Sequence, residues 1–143
     1  MGADILMFIE QKNPKTNKWE LVKNPNWEHD HYIVPIDRNT GLFCILCGYN
    51  KKDFIELPVI SECKGLPSDI NKESTFWLED LPYTSYLLLQ EILNYGWDKT
   101  IYYFDEISKC SEIAGDFYTK IIPYMKSLDS NYQNIRIVFG LSL

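Results

Sequence analysis

Residues Ala3 to Glu10 alternate at the two-residue period of a β-strand. Ala3, Ile5, Met7 and Ile9 make one wholly apolar face; Asp4, Leu6, Phe8 and Glu10 make the other, where a carboxylate shares space with large apolar groups. A strand this apolar belongs inside a sheet, and Asp4 is then its anomaly. A partly buried carboxylate needs a cation, hydrogen-bond donors or a proton. Finding that partner also identifies the strand that lies beside the first.

The remaining elements follow from periodicity and punctuation. Asn13-Pro14-Lys15-Thr16-Asn17 is a turn, and Lys18 to Val22 a short second strand, so residues 3–22 form a β-hairpin. Residues 23–38, with Pro25 and Pro35, read as loop. Asn39 or Thr40 caps a helix carrying Leu42, Phe43, Ile45, Leu46 and Tyr49, with Gly48 and Asn50 near its end. Residues 51–82 mix charges and prolines over a span long enough to be functional or to hide short elements. Thr84 or Ser85 is expected to cap a second helix through Leu88, Leu89, Ile92, Leu93 and Tyr95, stopped by Gly96. Thr100 to Phe104 is a third strand. A helix is expected over much of 106–128, with Ile107, Cys110, Ile113, Phe117, Ile121 and Met125 as its inner stripe, bent or split at Gly115 and Pro123. Ile135 to Gly140 is an alternating last strand. The pattern is α+β: one domain over 1–143, with a small antiparallel or mixed sheet packed with about three helices.

Composition narrows the function classes. The 143 residues are 45% hydrophobic and 15% aromatic, which excludes disorder and supplies rings for packing or stacking. A net charge of −6 argues against a basic nucleic-acid-binding face. No apolar run approaches the roughly 20 residues of a membrane span, and there is no signal-peptide pattern. A soluble, cytoplasmic protein is expected. The four cysteines do not form a disulfide framework.

If the first and last strands pair, Arg136 shares the mixed face with Asp4 and is the candidate charge partner. The pair is either a structural staple or the border of a pocket in which Arg136 offers its fork of donors to an anion. Gly140, on the same face, would leave room for such a ligand or simply end the strand. Cys44-x-x-Cys47 resembles a redox or zinc half-site, but sits inside the first helix and reads as buried thiols. His29-x-His31 is the remaining metal-like pair. Gly65-Leu66-Pro67-Ser68-Asp69 is a rigid turn without the pattern of a phosphate loop, and no hydrolytic motif can be assembled.

Several segments carry a resemblance. Met1-Gly2-Ala3-Asp4-Ile5, Arg38-Asn39 leading into Leu42-Phe43-x-Ile45-Leu46-x-Gly48-x-Asn50, Gly65-Leu66-Pro67-x-Asp69, Trp97-Asp98 and Ile135-Arg136-Ile137-Val138-Phe139 are similar, in order, to a group of small phage-encoded proteins opening Met-Gly-x-Asp-Ile-His. Two departures matter: the group's first-strand histidine is Leu6 here, and its His-Ser-x-Ser-Trp is Pro82-Tyr83-Thr84-Ser85-Tyr86. The resemblance implies a viral accessory protein acting in a host bacterial cell, and the lost histidines weigh against an enzyme. The leading expectation is an anti-defence protein that sequesters a small anionic ligand, such as a nucleotide immune signal, without turnover and with no cofactor or metal. The ligand-binding candidates are Asp4, Arg38, Asn50, Trp77, Trp97 and Arg136, since a ring plus a cation suits a base and its phosphate. The alternatives are an acidic inhibitor of a host defence protein, and third an enzyme acting on a nucleotide. A homo-oligomer that shares its pocket is compatible with each.

Overall fold

The computed structural model describes residues 2–28 and 30–143; Met1 and His29 lie outside it, and with them the histidine pair at 29 and 31. The opening residues form β1 (Asp4–Lys12), which turns through Asn17, in left-handed backbone at φ 60°, into β2 (Trp19–Leu21). The last strand, β6 (Ile135–Ser142), lies between β1 and β3 (Tyr83–Leu88). The order is β2-β1-β6-β3, with every neighbouring pair antiparallel. The architecture is α+β, as the sequence pattern implies.

The odd residues of β1 face the main core. Met7 and Ile9 pack there with Ile137, Phe139 and Leu141 of β6 and Leu87 of β3. Against them lies α1 (Thr40–Cys47), buried from Gly41 to Cys47. Asn39 caps this helix, accepting from the Leu42 N–H at 3.0 Å, and Gly48 ends it at φ 79°. The other face of the sheet is covered by residues 64–81, including α2 (Lys72–Leu78), which close over Phe8 and Val138 with Leu66, Ile70 and Leu81.

Two helix assignments are corrected. Residues 83–88 are strand β3, not the start of a helix, and α3 occupies only Leu89–Leu93. Ser85 and Leu87 face inward at the two-residue period, so pairing with β6 overrides the capping pattern of Thr84 and Ser85. Residues 106–109 are also strand. β4 (Thr100–Tyr103) and β5 (Glu106–Lys109) make a separate antiparallel hairpin, and Ile107 is exposed rather than part of an inner stripe. Helix begins at α4 (Cys110–Ala114) and breaks at Gly115. After one wide turn over Phe117–Ile121 it resumes as α5 (Ile122–Leu128). The described residues thus hold five short helices rather than about three. Cys110, Ile113, Phe117, Ile121 and Met125 do line the core.

A two-stranded sheet is marginal alone, so this hairpin depends on its inner face. Ile101 is buried, and the Tyr103 ring stacks on Phe54 at 5.5 Å while its hydroxyl packs against Gly41. A Cβ on Gly41 would stand 2.5 Å from that hydroxyl oxygen and 2.6 Å from Ile113. Gly41→Ala is therefore expected to cost about 1–3 kcal/mol by overpacking. Hydrogen exchange should show the hairpin amides losing protection first; unchanged hairpin protection would contradict this anchoring.

Candidate functional site

The six residues expected to bind a ligand do not meet in one cleft. Asp4 pairs across the strand with Ser142, six residues from the position where β1 meets Arg136. At about 3.3 Å per residue that is roughly 20 Å along the strand. Its cation is Arg38, whose Nε donates to Asp4 Oδ1 at 2.7 Å on an exposed surface, and this hydrogen bond holds the carboxyl below its ordinary value. An exposed pair of this kind contributes little. Asp4→Asn should leave the thermal midpoint unmoved, and a shift of several degrees would show that the pair is structural after all.

Arg136 lies directly opposite Glu10, only 3% exposed. Its Nε and Nη2 reach Glu10 Oε1 at 2.8 and 2.7 Å, and Nη1 reaches Asp69 Oδ1 at 2.8 Å. The guanidinium stacks 3.9 Å over the Trp19 ring. Glu10 is completed by the Asn71 N–H at 3.0 Å and the Ser74 hydroxyl at 2.9 Å. The Trp19 indole N–H donates to Asp69 Oδ2 at 3.1 Å. This closed network replaces the expected Asp4–Arg136 pair, and its donors are committed inside the protein. Gly140 offers no ligand space either, because a Cβ there would stand 2.7 Å from Leu81. Leu6 packs into the apolar cluster under α2.

Of the proposed ring surfaces, Trp97 is core: it is buried, donates to the Ile92 carbonyl at 2.8 Å and sits against Tyr95 and Tyr118. Trp77 is half exposed on α2 beside Phe76. Asn50 does line a cleft. Beyond the end of α1, a hollow of about 610 Å³ is bordered by Tyr49, Asn50, Lys51, Lys52, Glu62, Cys63 and Tyr83. It combines rings and cations. Glu62, however, takes Lys51 at 3.2 Å, and the helix presents its carbonyl end, which disfavours an anion. Within the same region burial pushes the Cys44 thiol up to about 11. A hydrogen bond with Cys63 and then burial push Cys47 up, while that same bond holds Cys63 below the usual thiol value. Among the described residues no group of three or more His, Cys, Asp or Glu side chains is arranged to hold a metal ion, and no helix is long and apolar enough to cross a membrane.

In addition to the Phe76–Trp77 pair of α2, a second apolar surface is the β4–β5 hairpin. Tyr102 and Ile107 oppose each other on its outer face, both exposed, and the neighbouring Ile55 is 79% exposed. The two-residue tip is Phe104-Asp105, with φ of 51° and 64°. Positive φ at both central positions matches the strand twist but suits Asn-Gly; for a phenylalanine it is strained. Phe104 is nevertheless 76% exposed, its ring meeting Phe54 and Tyr103 edge-on. Two hollows, of about 500 and 240 Å³, adjoin along β4 between the hairpin and residues 53–57. Glu56 lines both hollows, joined by Lys99 in the larger and Asp53 in the smaller, and Asp105 and Glu106 stand at the tip. Sequence reasoning missed this surface because Ile107 fits a helical stripe, although Tyr103-Phe-Asp-Glu106 between two short runs of strand formers carries the signal of a turn. No family model, curated protein or solved structure matches the chain.

Proposed function

We propose that the protein is a protein-binding inhibitor that docks through the β4–β5 hairpin onto a basic, apolar segment of another protein. The observation that carries this reading is Phe104: a large apolar side chain kept in exposed, strained backbone at the tip of a hairpin whose outer face also displays Tyr102 and Ile107. Exposed apolar surface of this extent on a small domain marks interaction sites, and backbone strain gathers where function needs it. The flanking carboxylates favour a basic partner, and the net charge of −6 opposes a second copy of the same chain. β4 and β5 pair only with each other among the described residues, so an extended segment has a free edge to follow. The resemblance to small phage proteins puts a host defence protein first among such partners.

Selection of random displayed peptides against the immobilised protein is expected to enrich apolar residues interspersed with Lys and Arg. The bound peptides should perturb amide resonances of Ile55, Tyr102, Phe104 and Ile107. Peptides that map elsewhere, or a concentration-dependent dimer closing over the hairpin, would contradict the reading. A second reading, sequestration of a small anionic ligand, is favoured by Tyr49, Tyr83, Lys51 and Lys52 around the cleft at the end of α1. A thermal shift with a cyclic or ADP-ribose-type nucleotide, released intact on denaturation, would support it over docking.

A further inference from the structure

We propose that the cleft at the end of α1 is a thiol–disulfide exchange site, in which Cys63 attacks a low-molecular-weight disulfide and Cys47 resolves the product. This is independent of the hairpin. Of the four cysteines, Cys63 alone is exposed; Cys44, Cys47 and Cys110 are buried. Cys47 reaches the cleft from the last turn of α1 and Cys63 from the segment that crosses it, so both thiols line one hollow. That segment is anchored on both sides of Cys63: the Ile60 N–H donates to the Ile45 carbonyl at 2.7 Å, and the Lys64 N–H donates to the Ser85 hydroxyl at 3.3 Å. The Cys47 thiol donates to the Phe43 carbonyl at 3.5 Å, and Cys47 and Cys63 lie close enough to shift each other's acidity in opposite directions. Cys44, despite its C-x-x-C spacing, is not the hydrogen-bonded partner of Cys47.

This arrangement divides the labour as exchange chemistry requires. The thiolate is the nucleophile, and the neighbouring Cys47 favours it on Cys63, the thiol that solvent can reach. Attack forms the Cys63–S–S–R bond and expels the first R–S⁻, which takes up a proton from solvent. Cys47, too buried to meet a free disulfide, loses its proton and displaces the second R–S⁻ from Cys63. Two protein thiols and one R–S–S–R thus become one internal disulfide and two R–SH. The Tyr49 and Tyr83 rings give the R groups a surface to rest on.

Glutathione disulfide is the probe. Intact mass and peptide mapping of the native wild-type chain should show a Cys47–Cys63 disulfide, with two glutathiones released per chain. Cys63→Ser should lose all modification, whereas Cys47→Ser should stop at glutathione retained on Cys63. Glutathione on another cysteine, no reaction of the native chain, or complete turnover in Cys47→Ser would overturn the proposal. If Cys47→Ser fails to fold, as judged by circular dichroism, Cys47→Ala serves in its place, and the wild-type peptide map decides without either variant.

Discussion

Arg136→Ala is expected to lower the unfolding free energy by about 3–5 kcal/mol, the cost typical of leaving one member of a buried ion pair behind. The stranded group is Glu10, fully buried and directly across the sheet from the deleted guanidinium. For a domain whose whole stability is on the order of 5–15 kcal/mol, this places the variant close to unfolding. Urea denaturation followed by tryptophan fluorescence reads the loss directly, because Trp19 lies against the guanidinium. A double variant, Glu10→Leu with Arg136→Met, should recover most of it, since replacing both partners removes the uncompensated charge. A single-variant loss below about 1 kcal/mol would show that the network is solvated in solution, as exposed ion pairs are.

The same network sets a pH dependence. Burial tends to raise the Asp69 carboxyl, but the hydrogen bond and charge of Arg136, with the Trp19 N–H, outweigh it and hold the folded value below the ordinary one. A carboxylate depressed in this way adds stability above its unfolded value, about 4, and surrenders it as pH falls through the lower folded value. Wild type should therefore weaken on acidification below about pH 4. In Asp69→Asn that part of the acid arm should be missing. An acid arm equally steep in the variant would remove Asp69 as its source.

The fold was legible where one period ran without competition. The alternation of residues 3–10 and 135–140, and the capped apolar run after Asn39, give β1, β6 and α1 to within about two residues at their ends. It was illegible where short elements share composition: Leu88, Leu89, Ile92 and Leu93 fit a helix so well that the strand before them was absorbed into it. The site failed for a different reason. Both Asp4 and Glu10 lie on the even face of β1, and only the register decides which of them meets Arg136. A face follows from local alternation, whereas a register depends on the whole sheet and on what covers it. Glu10 sits where residues 69–74 close over the strand and can supply an N–H and a hydroxyl; Asp4 does not. The hairpin patch was hidden because its residues are good strand and core formers, and nothing local says they stay uncovered.

Replacing Phe104-Asp105 by Asn-Gly should produce a protein that is at least as stable as wild type yet has lost its partner. The turn needs φ of 51° and 64° at its two positions, which Asn-Gly adopts readily and phenylalanine adopts at a cost of about 1–2 kcal/mol. Against this stand the edge contacts of the Phe104 ring with Phe54 and Tyr103. Fully formed, such pairs are worth about 0.5–1.5 kcal/mol, but this ring is mostly in water and recovers less. The turn relief therefore wins, and thermal unfolding should rise or hold. Binding moves the other way: an aromatic anchor at the centre of an interface typically contributes 2 kcal/mol or more, so affinity for the selected peptides should fall at least about 30-fold. A structural turn and a docking tip thus predict opposite ledgers. If Phe104 only packs, the variant loses stability and keeps its affinity; if it docks, it keeps stability and loses affinity. Measured together on one variant, unfolding midpoint and peptide dissociation constant separate the two.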